Sequence, residues 1–129
     1  MVREAILWRL IQDFPNVSYD QYHTFITGLA DRRTGESFLT ILCEYQFQDP
    51  SVGDGIFLKT LCREIYGLCN KYDYQLKRGW EAEHVHGWEI NREILEACKR
   101  KMSFSPHLIQ GDYLNSRPRK AVDVIIANP

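Results

Sequence analysis

The chain has 129 residues, of which 44% are hydrophobic and 26% are charged. These proportions are typical of an ordinary folded domain and exclude a disordered or fibrous protein. The formal net charge of −1 also excludes the strongly basic surface expected when a whole domain is built to bind nucleic acid. We therefore expect one domain, itself incomplete, with any extensive nucleic-acid surface lying outside this chain.

Cysteine spacing and the N-terminal charges indicate a cellular compartment. The four cysteines lack C-x-x-C spacing, which predicts reduced core thiols and no structural zinc. They are Cys43, Cys62, Cys69 and Cys98. Charged residues interrupt every apolar run in the first thirty residues, so neither a signal peptide nor a membrane span is expected. The protein is predicted to be cytoplasmic, with no membrane partner.

Three helices are predicted before the first strand. Apolar residues recur at helical spacing over residues 2–14, up to a proline. A second helix is expected to begin after Ser18, with Gln21 placed for a capping box, and a third is expected over about 32–42. Residues 1–42 are therefore interpreted as an N-terminal helical segment.

The pattern then alternates between strands and helices. Residues 45–48 alternate between apolar and polar as a strand does, and a helical stripe follows over 57–68. Residues 70–83 are rich in polar and aromatic residues and are interpreted as an exposed connection. A second strand is expected over about 84–90.

The same alternation continues to the C-terminus. Asn91 is a suitable N-cap for a helix whose last turn carries three basic residues at 99–101. A short strand is expected at 108–109, and the apolar run 122–127 is typical of a strand buried on both faces of a parallel sheet. Together these elements predict an α/β fold with right-handed crossovers and helices on both sides of the sheet.

Polar residues fall where the predicted strands end. They are Asp49, Glu89, Asp112 and Asn128. Ligands of open parallel sheets bind outside the carboxyl ends of the strands, so these side chains are expected to share one crevice. Gly53 and Gly55 lie in a tight turn after the first strand, where glycine lets a ligand approach the main chain.

Four segments together resemble the S-adenosylmethionine-dependent DNA adenine-N6 methyltransferases. They are Asp49-Pro50-Ser51-Val52-Gly53-Asp54-Gly55, Gly87-Trp88-Glu89-Ile90-Asn91, Gly111-Asp112-Tyr113-Leu114 and Asp123-Val124-Ile125-Ile126-Ala127-Asn128-Pro129. The resemblance covers the chain from Asp49 to its end. It implies a Rossmann-like parallel sheet of the class I methyltransferase type, incomplete here, in a cofactor-binding core over residues 43–129.

The resemblance also implies a role for each motif. Glu89 would accept hydrogen bonds from the ribose hydroxyls of S-adenosylmethionine, and Asp112 would accept one from its adenine amine. Asp49 and the turn after it would form the wall beside the methionine part and the sulfonium. The complete cofactor set is Asp49, Pro50, Ser51, Gly53, Gly55, Glu89, Ile90, Asp112 and Tyr113. No metal is expected.

Asn128 and Pro129 correspond by resemblance to the start of the family's catalytic Asn-Pro-Pro-Tyr motif. They would accept hydrogen bonds from the N6 amine of an adenine flipped out of double-stranded DNA. The chain ends before the aromatic residue that stacks on that base, so this fragment is expected to be inactive alone. The resemblance further implies a restriction-modification system and DNA contacts made mostly by regions missing here. A second polypeptide that completes the fold is expected if the chain is one half of a split enzyme.

Other interpretations remain open at this point. A methyltransferase of protein glutamine amides shares the Asn-Pro-Pro-Tyr chemistry, although its glycine loop usually reads Asp-Leu-Gly. The chain could also be a non-catalytic cofactor-binding remnant or one half of a split enzyme. Glu89 could be a solvated carboxylate, and Asp112 and Asn128 could only form turns. His84 and His86 are interpreted as ordinary strand residues.

Overall fold

The computed structural model of the chain describes residues 1–116 and 122–127. Three helices come first, as predicted: α1 (Val2–Asp13), α2 (Tyr19–Ile26) and α3 (Arg32–Leu42). The capping box of α2 is confirmed, because Ser18 Oγ accepts from Gln21 N while Gln21 Oε1 accepts from Ser18 N. Asp31 is the N-cap of α3, and its Oδ1 accepts from Thr34 N at 2.8 Å.

Strands and helices then alternate through the rest of the described chain. The elements are β1 (Phe47–Asp49), α4 (Ile56–Lys71), α5 (Trp80–His84), β2 (Val85–Glu89), α6 (Arg92–Lys101), β3 (His107–Gln110), α7 (Tyr113–Ser116) and β4 (Val124–Ile125). The four strands are all parallel and lie in the order β3-β2-β1-β4. This mixed α/β architecture is consistent with a Rossmann-like fold.

The two faces of the sheet differ in chemistry. Phe47 pairs with Val85 and with Val124, so one face is apolar. A methyl group added to Gly87 on this face would lie 2.3 Å from Val52 Cγ2 and 2.8 Å from Leu58 Cδ1. Glycine at this position therefore lets α4 and the loop after β1 pack directly on β2.

The opposite face carries polar and aromatic side chains. Gln48 pairs in register with His86 and with Ile125. Trp88 on this face is fully buried, with its ring 5.0 Å from that of Tyr113 in an edge-to-face arrangement. Helix α7 is therefore attached to this second face.

One buried hydrophobic cluster joins the N-terminal helices to the sheet. It includes Ile6 and Leu10 of α1, Leu42 of α3, Ile65 of α4 and Val85 of β2. Helix α1 packs against α2, α3, α4 and β4. The helical segment therefore holds the sheet in place and shares its core.

The structure corrects the predicted connection over 70–83. The supposed exposed connection over 70–83 contains Tyr72 and Trp80, which are 3% and 2% exposed. Trp80 Nε1 donates to Cys43 O at 2.7 Å, so this segment closes the core beside α3. Periodicity missed it because α5 is too short to show a helical stripe.

The second correction concerns the last strand, predicted over 122–127. Only Val124 and Ile125 form β4, and Ile125 is 49% exposed while Val124 is buried. The exposure of Ile125 shows that β4 is not buried on both faces, and β4 pairs only with β1, at the edge of the described sheet. The remaining strand predictions are confirmed to within two residues at each end.

Candidate functional site

The strand order defines where a ligand would bind. The chain winds from β1 through β2 to β3 on one side and then returns to place β4 on the other side of β1. Open parallel sheets bind ligands outside the carboxyl ends of the strands, at the point where the winding reverses. This point lies between β1 and β4, and Asp49 is the last residue of β1.

Asp49 is a buried carboxylate with one oxygen that has no hydrogen-bond partner among the described residues. Its Oδ1 accepts from Ser51 N at 2.9 Å, which closes the turn after β1. Its Oδ2 has no hydrogen-bond partner within residues 1–116 and 122–127, and the whole residue is buried, with 0% of its surface exposed. A buried polar atom without a partner costs free energy, so this oxygen is the acceptor at the reversal point that an added donor would stabilise.

Glu89 holds the glycine loop in place from the neighbouring strand. Its Oε1 accepts from Gly53 N at 3.0 Å and its Oε2 accepts from Asn91 N at 2.9 Å. The loop is also fixed by Val52 N, which donates to Trp88 O at 2.9 Å. A carboxylate has about four lone-pair positions, so each Glu89 oxygen can accept one further hydrogen bond.

The two loop glycines have different surroundings. Gly53 has φ +58°, and a methyl group added there would meet no atom within 4 Å. Gly55 has φ +84°, and the same methyl group would lie 2.6 Å from both Cys98 Sγ and Met102 Cε of the α6 region. Gly53 therefore faces open space, while Gly55 lets the start of α4 pack closely on α6.

Burial changes the acidity of Asp49. Desolvation is the main cause that raises its pKa to about 6 from 3.8; the Ser51 N–H bond opposes this rise, and the nearby Glu89 charge adds to it. Because desolvation penalises the charged form, Asp49 carries a negative charge near neutral pH only at a cost to folding. A positively charged ligand group would remove much of that cost.

We expect Asp49→Asn to gain stability relative to the parent chain as the pH rises from about 4 to 7. The folded pKa lies above the unfolded one, so the folded parent binds more protons in this window and loses stability with rising pH. The rise of the Asp49 pKa from 3.8 to about 6 corresponds to about 3 kcal/mol of folding free energy. Asparagine keeps an acceptor for Ser51 N and does not titrate. Urea unfolding of both proteins across this range measures the effect, and a constant difference between them would contradict it.

The Asp112 side chain is engaged in the turn that follows β3. Its carboxylate is exposed and accepts from Leu114 N at 3.1 Å and from Asn115 Nδ2 at 3.0 Å. These bonds begin α7, so the turn-forming role considered from the sequence is present. The preceding residue is tied to the site, because Gly111 N donates to Glu89 O at 3.0 Å.

Ile90 and Tyr113 follow the second and third strands as predicted. Ile90 is 70% exposed directly after Glu89, which leaves an apolar side chain available to a ligand. Tyr113 is half-buried and its hydroxyl donates to Gln48 Oε1 at 2.8 Å. Its polar tip is therefore used within the protein, with its ring against Trp88.

The remaining predicted residues lie in the turn after β1, at the C-terminus and at the junction of α5 and β2. Pro50 and Ser51 form the turn after Asp49, with Ser51 exposed. Asn128 and Pro129 lie outside the described residues. His84 ends α5 and does not belong to the strand with His86, which corrects their predicted placement. His84 Nδ1 lies 3.0 Å from Tyr45 O.

Sequence reasoning missed the contact between Gln48 and Tyr113. Gln48 is polar yet only 4% exposed, and the alternation of residues 45–48 predicts only that it lies on the face opposite Phe47. The available signal was the tyrosine after Gly111-Asp112, since a buried tyrosine hydroxyl normally needs a partner. Finding that partner required the strand order.

Two further observations concern the described residues alone. Over 1–116 and 122–127, no three or more His, Cys, Asp or Glu side chains are grouped so as to hold a metal ion. In the same ranges, no helix has both the length and the apolar character needed to cross a membrane.

Comparison with known proteins identifies no relative of this chain. No protein-family model, curated protein or solved structure matches this chain. What the site does chemically must therefore be argued from its own residues.

Proposed function

We propose that this chain is the cofactor-binding part of an S-adenosylmethionine-dependent methyltransferase that acts on N6 of adenine in DNA. One observation carries the proposal: Asp49 Oδ2 is a buried acceptor with no partner, placed at the reversal point of a parallel sheet beside a glycine loop. A buried carboxylate oxygen without a partner is stabilised by a donor, most strongly by a cationic one.

The chemistry of S-adenosylmethionine fits the groups present. The cofactor supplies a methyl group on a sulfonium, together with an ammonium group and a ribose diol. Asp49 offers an unpaired oxygen to the cationic part, and Glu89 offers its remaining lone pairs to vicinal hydroxyls. The open space at Gly53 lets a ligand lie against the main chain.

The choice of adenine as the substrate rests on the sequence motifs. Asn128 and Pro129 would accept hydrogen bonds from the amine by resemblance, which would orient its nitrogen toward the methyl group. The loop reading Asp49-Pro50-Ser51 favours DNA over a protein glutamine amide. Double-stranded DNA as the substrate, a role in restriction-modification and a cytoplasmic location all belong to this proposal.

A comparison of two ligands tests the roles of the carboxylates separately. S-adenosylmethionine has the cationic part and the ribose, whereas 5′-methylthioadenosine keeps the ribose and adenine without the sulfonium or ammonium. Asp49→Asn is expected to weaken binding of the first ligand by about tenfold to a hundredfold, as for one lost charge-assisted bond. Binding of the second ligand should change little.

The parent affinity for S-adenosylmethionine should also rise with pH through about 6, because ionised Asp49 is the form that accepts a cation. Calorimetric titration of both ligands measures both effects. Equal losses for the two ligands in Asp49→Asn would contradict the assignment of Asp49 to the cationic part. Tight binding of neither ligand by the folded parent would contradict the proposed function.

A further inference from the structure

Basic side chains gather along the exposed side of α4 and at the helix ends beside it. We call this surface the α4 stripe, and its cations are Arg3, Lys59, Arg63, Lys71 and Lys101. Residues four apart are neighbours on a helix surface. On α4 this spacing carries a cation at Lys59, Arg63 and Lys71, with Gly67 at the remaining position. Arg3 is added from α1 and Lys101 from the last turn of α6.

Two cavities lie along the stripe, one toward each end of α4. The larger, about 260 Å³, is lined by Arg3, Arg63 and Lys71, with Glu64 as its carboxylate. The smaller, about 190 Å³, is lined by Lys59 and Lys101, with Asp54 as its carboxylate. Five cations against two carboxylates make this surface positive in a chain whose formal net charge is −1.

The carboxylates of the stripe are already engaged, and most of its cations are not. Glu64 accepts from Arg3 Nε at 3.0 Å, and Asp54 accepts from Ile56 N at 3.1 Å. Within the described part of the chain, Lys59, Arg63, Lys71 and Lys101 form no ion pair. Their charges are therefore available to an anion from outside.

The middle of the stripe leaves the helix backbone open. Gly67 is exposed, and a methyl group added there would meet no atom within 4 Å. From Lys59 to Lys71 the helix rises by about 18 Å. A single small anion would occupy one cavity only, whereas a chain of phosphates could contact both cavities along this length.

We propose that the α4 stripe binds the phosphate backbone of double-stranded DNA. Duplex DNA carries one negative charge per about 1.7 Å of helix axis, so it matches a row of separated cations better than an isolated anion does. Lys59 lies four residues after Gly55, so DNA on the stripe extends from the glycine-loop edge of the sheet. This inference rests on the proposed function for DNA as the substrate and assigns a surface that holds it without reading bases.

The test measures DNA binding without cofactor. Anisotropy of a fluorescent duplex of about 20 base pairs is followed across a salt series for the parent chain and for Arg63→Gln/Lys71→Gln. The control is Arg33→Gln/Arg78→Gln, which removes the same charge from two exposed residues that line neither cavity. Loss of two phosphate contacts should reduce the salt slope by about 1.8. We expect at least about a tenfold loss of affinity in the stripe variant, and an unchanged salt slope in the control.

Three results would overturn the inference. The stripe and control variants could lose affinity and slope equally, which would mean only a general charge effect. The folded parent could fail to bind the duplex at all. The stripe variant could instead lose binding to vesicles rich in phosphatidylserine and not to DNA, which would assign the surface to a membrane. Because no cofactor is present, these results are independent of the calorimetric test of the proposed function.

Discussion

Replacing Glu89 by alanine is expected to weaken S-adenosylmethionine binding by at least about a hundredfold. Two hydrogen bonds from the ribose to a carboxylate would be lost, each worth about 1.5–3 kcal/mol. The same change removes the acceptor of Gly53 N and Asn91 N. Leaving these two donors without a partner costs about 1–3 kcal/mol each where they are buried. We therefore expect lower stability of the glycine loop as well.

Two variants separate the contact with the ligand from the support of the loop. Glu89→Gln keeps the shape of the side chain and one acceptor oxygen, so only one of the two backbone N–H groups loses its acceptor. It should therefore destabilise the loop less than Glu89→Ala does and still lose affinity. Glu96→Gln changes a half-exposed glutamate on α6, the helix that follows β2. The affinity of this control variant for S-adenosylmethionine should match that of the parent. Titration calorimetry and thermal unfolding measure the two effects. An unchanged affinity in a folded Glu89→Ala protein would remove Glu89 from the site.

Replacing Gly55 by alanine is expected to destabilise the fold by about 2–5 kcal/mol. A left-handed conformation costs a non-glycine residue about 1–2 kcal/mol, and φ at Gly55 is +84°. The new methyl group would also lie 2.6 Å from Cys98 Sγ and Met102 Cε, and forcing a methyl into a packed interior costs about 1–3 kcal/mol. The start of α4 and the loop before it should shift.

Gly53→Ala is the matched control for this effect. Gly53 has a similar positive φ but no atom within 4 Å of the added methyl group, so only the conformational cost of about 1–2 kcal/mol applies. Urea unfolding of both variants gives the difference directly. Equal losses of stability would mean that contact with α6 does not explain why position 55 is glycine.

Much of the local structure could be predicted from the sequence because its causes are local. The capping box at Ser18, the N-cap at Asn91 and the apolar stripes of α3 and α4 depend on residues only a few positions apart. The Asp49-Pro50 turn predicts that Asp49 ends the first strand, and Glu89 lies near the end of the second predicted strand, over about 84–90. Their positions at adjacent strand ends follow from the fold class.

Features that depend on distant residues could not be predicted. The edge position of β4 in the described sheet and the exposure of Ile125 depend on which elements the fold places beside and above this strand, which no local pattern contains. The burial of Trp80 depends on Cys43 O, 37 residues earlier in the chain. The unpaired Oδ2 of Asp49 is also invisible in a sequence, because it depends on which donors the fold brings near it.

The most direct test of the cofactor site is calorimetric titration of the folded chain with S-adenosylmethionine, alongside Gly53→Ala. The parent should bind saturably with one site, and Gly53→Ala should remain folded and lose most of its affinity because its methyl group occupies the open space beside the loop. Absence of binding by the folded parent, or equal binding by both proteins, would contradict a cofactor site at the glycine loop.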